Sequence, residues 1–126
     1  MLRNQITDPL FPECPVRNVL MRIGDKWAVL VLLALNEKGR PMRYKDIQQC
    51  IPDISQKMLG ITLRELEADG LVTRMAYAEV PPRVEYELTD RSCSLMPHIL
   101  GLVEWSLNHF TEIIKDRKAF KKKQGR

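Results

Sequence analysis

Most of the extended-backbone signal in this 126-residue chain lies in residues 77–89, YAEVPPRVEYELT, and the few residues before them. Val84, Tyr86 and Leu88 alternate with Glu85 and Glu87, the period of a half-exposed strand. Residues 71–78 make the other arm of a hairpin. Between the arms stand Pro81 and Pro82, which remove two backbone donors and favour extended backbone, so pairing must end before them. The usual tight-turn pair, Asn-Gly or Asp-Gly, is absent. The pattern predicts a ribbon with a stiff, protruding tip that carries Arg83.

The segments around the ribbon read as helices. Residues 1–13 hold Pro9 and Pro12 without periodicity and are expected to be an extended arm. Pro15 suits the first position of a helix, where its missing N–H costs nothing. Val16, Val19, Leu20 and Ile23 then give the stripe of a buried face, and Gly24 ends it. Asp25 can cap a second helix whose apolar face is Trp27, Leu30, Val31, Ala34 and Leu35, with Gly39 as its stop. A short strand is expected around residues 40–44. A short helix follows to Cys50, with Tyr44, Ile47 and Ile51 inward, and Cys50 is expected in the core. Ser55 is a good N-cap for a helix to about Ala68. Leu59, Thr62, Leu63 and Leu66 line one side of it; Gln56, Lys57, Gly60, Ile61 and Arg64 line the other. Gly70 is its C-terminal stop. Thr89 caps a long last helix marked by Leu95, Ile99, Val103, Leu107, Phe110 and Ile114, with a kink expected at Pro97.

Charge narrows the function. The last twelve residues, KDRKAFKKKQGR, carry seven of the 20 basic residues, and what precedes them is mildly acidic. Within that body, residues 38–64 hold six basic side chains (Lys38, Arg40, Arg43, Lys45, Lys57, Arg64) against Asp46 and Asp53. A locally basic segment in an acidic body fits a nucleic-acid footprint. No apolar run approaches the roughly 20 residues of a membrane span, and MLRNQITDPLFPE lacks a secretory pattern, so the expected location is the cytoplasm.

Two short helices across the brief connection IPDI, the second with a polar outward face, suit a helix-turn-helix. The ribbon after it makes the unit winged. The sequence resembles the HxlR family of bacterial winged helix-turn-helix transcriptional regulators. The matching pieces are CPV (14–16), GDKW (24–27), SQKMLGITLRELEADGLVTR (55–74), EVPPRVEYELT (79–89) and LMPHILGLVEW (95–105). The resemblance implies homodimers built through the first and last helices that bind inverted-repeat operators in double-stranded DNA. It departs from the family pattern at Gly60 and Ile61, where polar groups would stand. A missing side chain at Gly60 permits close approach to DNA and Ile61 can touch a thymine methyl, with local packing as the alternative.

The fold expected is therefore mainly α with a small β-ribbon (α+β): an arm at 1–13, a winged helix-turn-helix at 14–89, and a C-terminal dimerisation helix and basic tail at 90–126. The DNA-contacting candidates are Arg43, Ser55, Gln56, Lys57, Gly60, Ile61, Arg64 and Arg83. The alternative is a winged-helix module for protein contacts with no specific DNA target. His98 and His109, eleven apart, lie about 16 Å apart along a helix axis, too far to share a metal. No catalytic motif occurs, and no enzyme activity, metal or cofactor is expected. Cys14, Cys50 and Cys93 fit a reducing compartment. Cys14 at a helix N-terminus has its pKa lowered by the dipole, which leaves two readings open: a structural thiol, or a sensor of oxidants or electrophiles, as some members of the resembled family have at this position. A small-molecule effector is the other possibility.

Overall fold

The computed structural model describes residues 15–125. The order is α1 (Pro15–Ile23), α2 (Lys26–Lys38), β1 (Met42–Arg43), α3 (Tyr44–Cys50), α4 (Gln56–Ala68), β2 (Val72–Tyr77), β3 (Arg83–Leu88) and α5 (Asp90–Gln124). This is the order expected from the sequence. The chain divides into two units, one ending at Ser94 and one running from Leu95.

In the first unit α2 supplies the central wall. Asp25 caps it, its carboxylate accepting from the Trp27 and Ala28 N–H groups at 2.8 and 3.3 Å. Its buried face is Ala28, Val31, Leu32, Ala34 and Leu35. Leu30, expected on that face, is exposed and Trp27 is only half-buried, because the buried stripe is centred one position further round the helix. Leu59, Leu63 and Leu66 of α4 are buried, as are Ile47 of α3, Ile51 and Ile54 of the connecting turn, and Met42, Leu71 and Val72 from the sheet region. Each fully buried aliphatic side chain contributes roughly 1.5–3 kcal/mol.

The α1–α2 corner is tight. Gly24 N–H donates to the Leu20 carbonyl at 2.7 Å, and a Cβ at Gly24 would lie 2.8 Å from that oxygen, so the close approach excludes a side chain. The stripe on α1 does not pack as expected. Val19 and Leu20 are about half exposed and Met21 more so, because none of the described residues covers that side.

The sheet has the order β1-β3-β2, antiparallel throughout. β3 is thus a central strand, flanked by Met42 and Arg43 on one side and by residues 72–77 on the other. All six of its residues are half-buried, whereas the alternation of Val84, Tyr86 and Leu88 with glutamates suggested one wet face. Cys50 is also corrected: it is exposed at the last position of α3, one residue before the buried Ile51.

The end of α4 is closed by a Schellman arrangement: Gly70 N–H donates to Glu67 O at 3.0 Å and Leu71 N–H to Leu66 O at 2.9 Å. Gly70 sits at φ 73°, a left-handed conformation. The start of α5 is bonded to the same corner. Thr89 Oγ1 donates to the Gly70 carbonyl at 2.6 Å and Arg91 Nη1 to the Asp69 carbonyl at 2.8 Å. Thr89 and Ser92 cap α5 reciprocally: the Ser92 hydroxyl accepts from Thr89 N–H at 2.9 Å and Thr89 Oγ1 from Ser92 N–H at 3.3 Å. Ser92 is fully buried, and this exchange satisfies it. In the second unit α5 continues as one helix through Pro97. Gly70→Ala is expected to destabilise the chain by about 1–2 kcal/mol, from the left-handed backbone and the displaced Arg91, measured by urea unfolding.

Candidate nucleic-acid interface

The helix-turn-helix is α3, residues 51–55 and α4. The turn is held from inside by the buried Ile51 and Ile54, with Ile54 N–H donating to the Ile51 carbonyl at 3.1 Å. Ser55 caps α4, its hydroxyl accepting from Met58 N–H at 3.0 Å. The expected inward residues Leu59, Thr62, Leu63 and Leu66 are all buried, and the Thr62 hydroxyl donates to the Met58 carbonyl at 2.8 Å. With that side fixed, Gln56, Lys57, Ile61 and Arg64 are exposed and Gly60 is half-exposed. Among the described residues neither Lys57 nor Arg64 has an ion-pair partner, so both charges are available to an anion. A Cβ added at Gly60 would meet nothing within 4 Å. Local packing therefore does not require glycine there.

Tyr44, taken from sequence only as a core residue, has a further role. Its hydroxyl donates to the carbonyl of Gln56, the first residue of α4, and so ties the start of α3 to the start of the outward-facing helix. Arg43, the neighbour of Tyr44, is exposed at the β1–α3 junction opposite Glu85 of β3. A tyrosine twelve residues before a capped helix gives no sequence sign of such a bond.

The wing differs from expectation in where its charge sits. Tyr77 pairs with Arg83, so Arg83 opens β3 and the tip is residues 78–82. The apex is Val80, fully exposed and followed by the two prolines. Arg83 lies over the Tyr77 ring, 4.1 Å from its centroid, with Nε 3.4 Å from a Glu79 carboxylate oxygen and Nη1 3.9 Å from one of Glu85. It does not project from the tip; two carboxylates balance its charge and an aromatic face carries its plane. The sequence did hold a signal for this, since glutamates stand four before and two after Arg83. Cys14 lies outside the described residues.

A family model for the HxlR-like helix-turn-helix matches residues 22–114. The chain belongs to the HxlR family. It is 38% identical over 113 residues to an uncharacterised HTH-type transcriptional regulator of Escherichia coli, YtfH, covering 87% of this chain and 88% of that one. Among solved structures, the reduced form of the redox regulator HypR matches with a TM-score of 0.70 and 37% identity over 80% of this chain and 98% of its own. Diamide-treated YodB of Bacillus subtilis matches with a TM-score of 0.64 and 32% identity, over 77% and 92% of the two chains. Within this HxlR chain no described helix is long and apolar enough to cross a membrane.

Burial raises the Tyr44 phenol above its ordinary value, and the neighbouring Tyr86 adds to the shift. The folded state thus holds this proton more tightly than the unfolded chain. The stability it contributes is complete below the unfolded value of about 10 and is lost as pH rises through the higher folded value. Urea unfolding at pH 8 and above pH 10 is expected to show this loss in the parent chain, and a smaller loss in Tyr44→Phe.

Proposed function

We propose that this HxlR-family chain is a homodimeric, sequence-specific transcriptional regulator that inserts α4 into the DNA major groove. The observation that carries the reading is the outward face of α4: Gln56, Lys57 and Arg64 exposed, with no ion-pair partner for either cation among the described residues, on a helix whose opposite side is buried in the core. Residues near the start of such a helix reach base edges. Ser55 and Gln56 would make base or phosphate contacts there, and Arg43 a phosphate contact beside them. The functional division would follow 1–13, 14–89 and 90–126.

Arg83 enters this reading in modified form. A phosphate or groove contact requires it to exchange Glu79 and Glu85 for DNA, so its main contribution is to the shape of the wing. Dimerisation is supported by apolar side chains exposed in each unit: Val19, Leu20 and Met21 on α1, and Leu102, Trp105, Leu107 and Phe110 on α5. A two-fold pair would set two copies of α4 about one DNA turn apart, roughly 34 Å. Nothing in this reading calls for catalysis, and a cytoplasmic location fits it.

Gel shifts at two salt concentrations with DNA from upstream of the chain's own gene test the reading. Lys57→Ala and Arg64→Ala are each expected to weaken specific binding by roughly 1–3 kcal/mol. Gly60→Ala is expected to stabilise the fold by about 1 kcal/mol and yet weaken the complex by crowding the DNA. Parent-like operator binding by all three variants would remove α4 as the reading helix. Specific binding by none of the proteins, the parent included, favours a protein-contact module.

A redox-responsive reading is favoured by the exposure of Cys50 and Cys93. An exposed thiol of one subunit can resolve an oxidised Cys14 of the other. Diamide would take two electrons and two protons from the thiol pair and leave one disulfide. Operator binding by the parent is expected to change with diamide and to be restored by reductant, whereas Cys14→Ser should be unresponsive. Equal responses in both proteins reduce Cys14 to a structural residue.

A further inference from the structure

A cavity of about 250 Å³ opens between α1, α2 and α4. Its body is apolar: Met21 and Ile23 from α1, Ala28 and Leu32 from α2, Met58 and Ile61 from α4. Ile61 thus faces the cavity as well as the outward side of the reading helix. The rim is charged and asymmetric. Asp25, Glu65 and Asp69 face it with one cation, Arg22.

Two of those carboxylates are engaged. Asp25 accepts from the backbone at the start of α2, and Asp69 lies 3.7 Å from Arg22 Nε. Glu65 has no ion-pair partner among the described residues. The Arg22–Asp69 pair joins α1 to the end of α4 across the opening. Arg22 is largely exposed, and pairs of that kind hold weakly. The spacing of α1 and α4 at this opening can therefore adjust.

We propose that this cavity is an effector site for a small aromatic amine, and that occupancy changes operator binding; the second part rests on α4 being the DNA-reading helix. Size sets the class. An apolar cavity of about 150 Å³ accepts benzene, so this one has room for a two-ring body. Methionine sulfurs at Met21 and Met58 make favourable contacts with aromatic rings, often at the ring edge, and the flexible side chains adapt to a ligand's outline. Charge complementarity supplies the rest, since a protonated amine at the rim meets Glu65 and lies beside Asp69 and Asp25. A carboxylate ligand would meet three negative groups and one cation. The occupant touches Met58, Ile61 and Glu65, which interleave along α4 with Lys57 and Arg64. It therefore presses on the helix between its two exposed cations, and a ligand that binds one setting of α4 better than another shifts the population toward it.

The test uses the full chain with methyl-labelled methionine and three probes of one shape: 2-naphthylmethylamine, 2-naphthylmethanol and 2-naphthoate. Saturable methyl shifts at Met21 and Met58, with Met75 on β2 unmoved, are expected with the amine at sub-millimolar concentration. The alcohol should bind about tenfold more weakly and the acid not at all. Glu65→Gln, a change at an exposed position, should reduce amine binding about tenfold and leave the alcohol unchanged. Equal binding of amine and alcohol, an unaffected Glu65→Gln variant, or no saturable shift overturns the site. So does binding that emerges only after residues 2–13 are deleted, because the arm is then the occupant. Operator affinity is measured separately with and without the amine: a change of threefold or more supports regulation, and an unchanged value overturns it. The methyl titration needs no DNA, so failure of the site and failure of the DNA-binding reading remain distinct.

Discussion

Three carbonyls at the end of α4 hold the turn into β2 and the start of α5 in register. The Glu67 and Leu66 carbonyls accept from Gly70 and Leu71 N–H, which turns the chain from helix into β2 within three residues. The Gly70 carbonyl then accepts from Thr89 and fixes the return of β3 into α5. The Asp69 side chain reaches Arg22 of α1. Residues 69–71 therefore form a joint between α1, α4, β2 and the start of α5. A left-handed residue is unavoidable there, and glycine fills the position at little steric cost. The joint links the end of α4 directly to the first strand of the wing.

The buried side of α4 then decides what the helix can offer to solvent. Leu59, Leu63 and Leu66 take three of its positions into the core, and Thr62 spends its hydroxyl on the helix's own backbone. The Lys57 and Arg64 side chains, by contrast, have no ion-pair partner among the described residues. A polar and cationic face in such a place is unexplained by folding, and the proposed DNA readout would account for it. The wing shows the opposite situation. Its arginine has structural duties, because Glu79, Glu85 and the Tyr77 ring already use its charge and its plane.

Much of this was legible in the sequence where local rules act alone. Asp25, Ser55 and Thr89 were readable as caps, Gly70 as a stop, and the inner face of α4 from its spacing, since each depends on a few neighbouring residues. What escaped depends on distant ones. The pairing of β1 with β3 makes a half-wet strand a central one, and nothing within residues 83–88 announces Met42 and Arg43 as neighbours. Val19 and Leu20 have a core-like stripe, but spacing along α1 does not say whether anything packs on it, and among the described residues nothing does. Cys50 lies one position from the buried Ile51, and a one-residue step on a helix turns a side chain by about 100°. The tie from Tyr44 to Gln56 was invisible because its acceptor is a backbone carbonyl.

Gly60 has a consequence beyond the present chain. Its Cβ position meets nothing within 4 Å among the described residues. An alanine there meets no described neighbour, and nearly any residue other than proline improves the helix over glycine. Single-nucleotide changes can therefore vary this position without crossing a stability threshold. If α4 reads DNA as proposed, duplicated copies of such a gene could diverge in DNA preference at this point while the scaffold stays the same. A glycine retained there across copies would then record selection on that contact, because the described fold exerts no pressure to keep it.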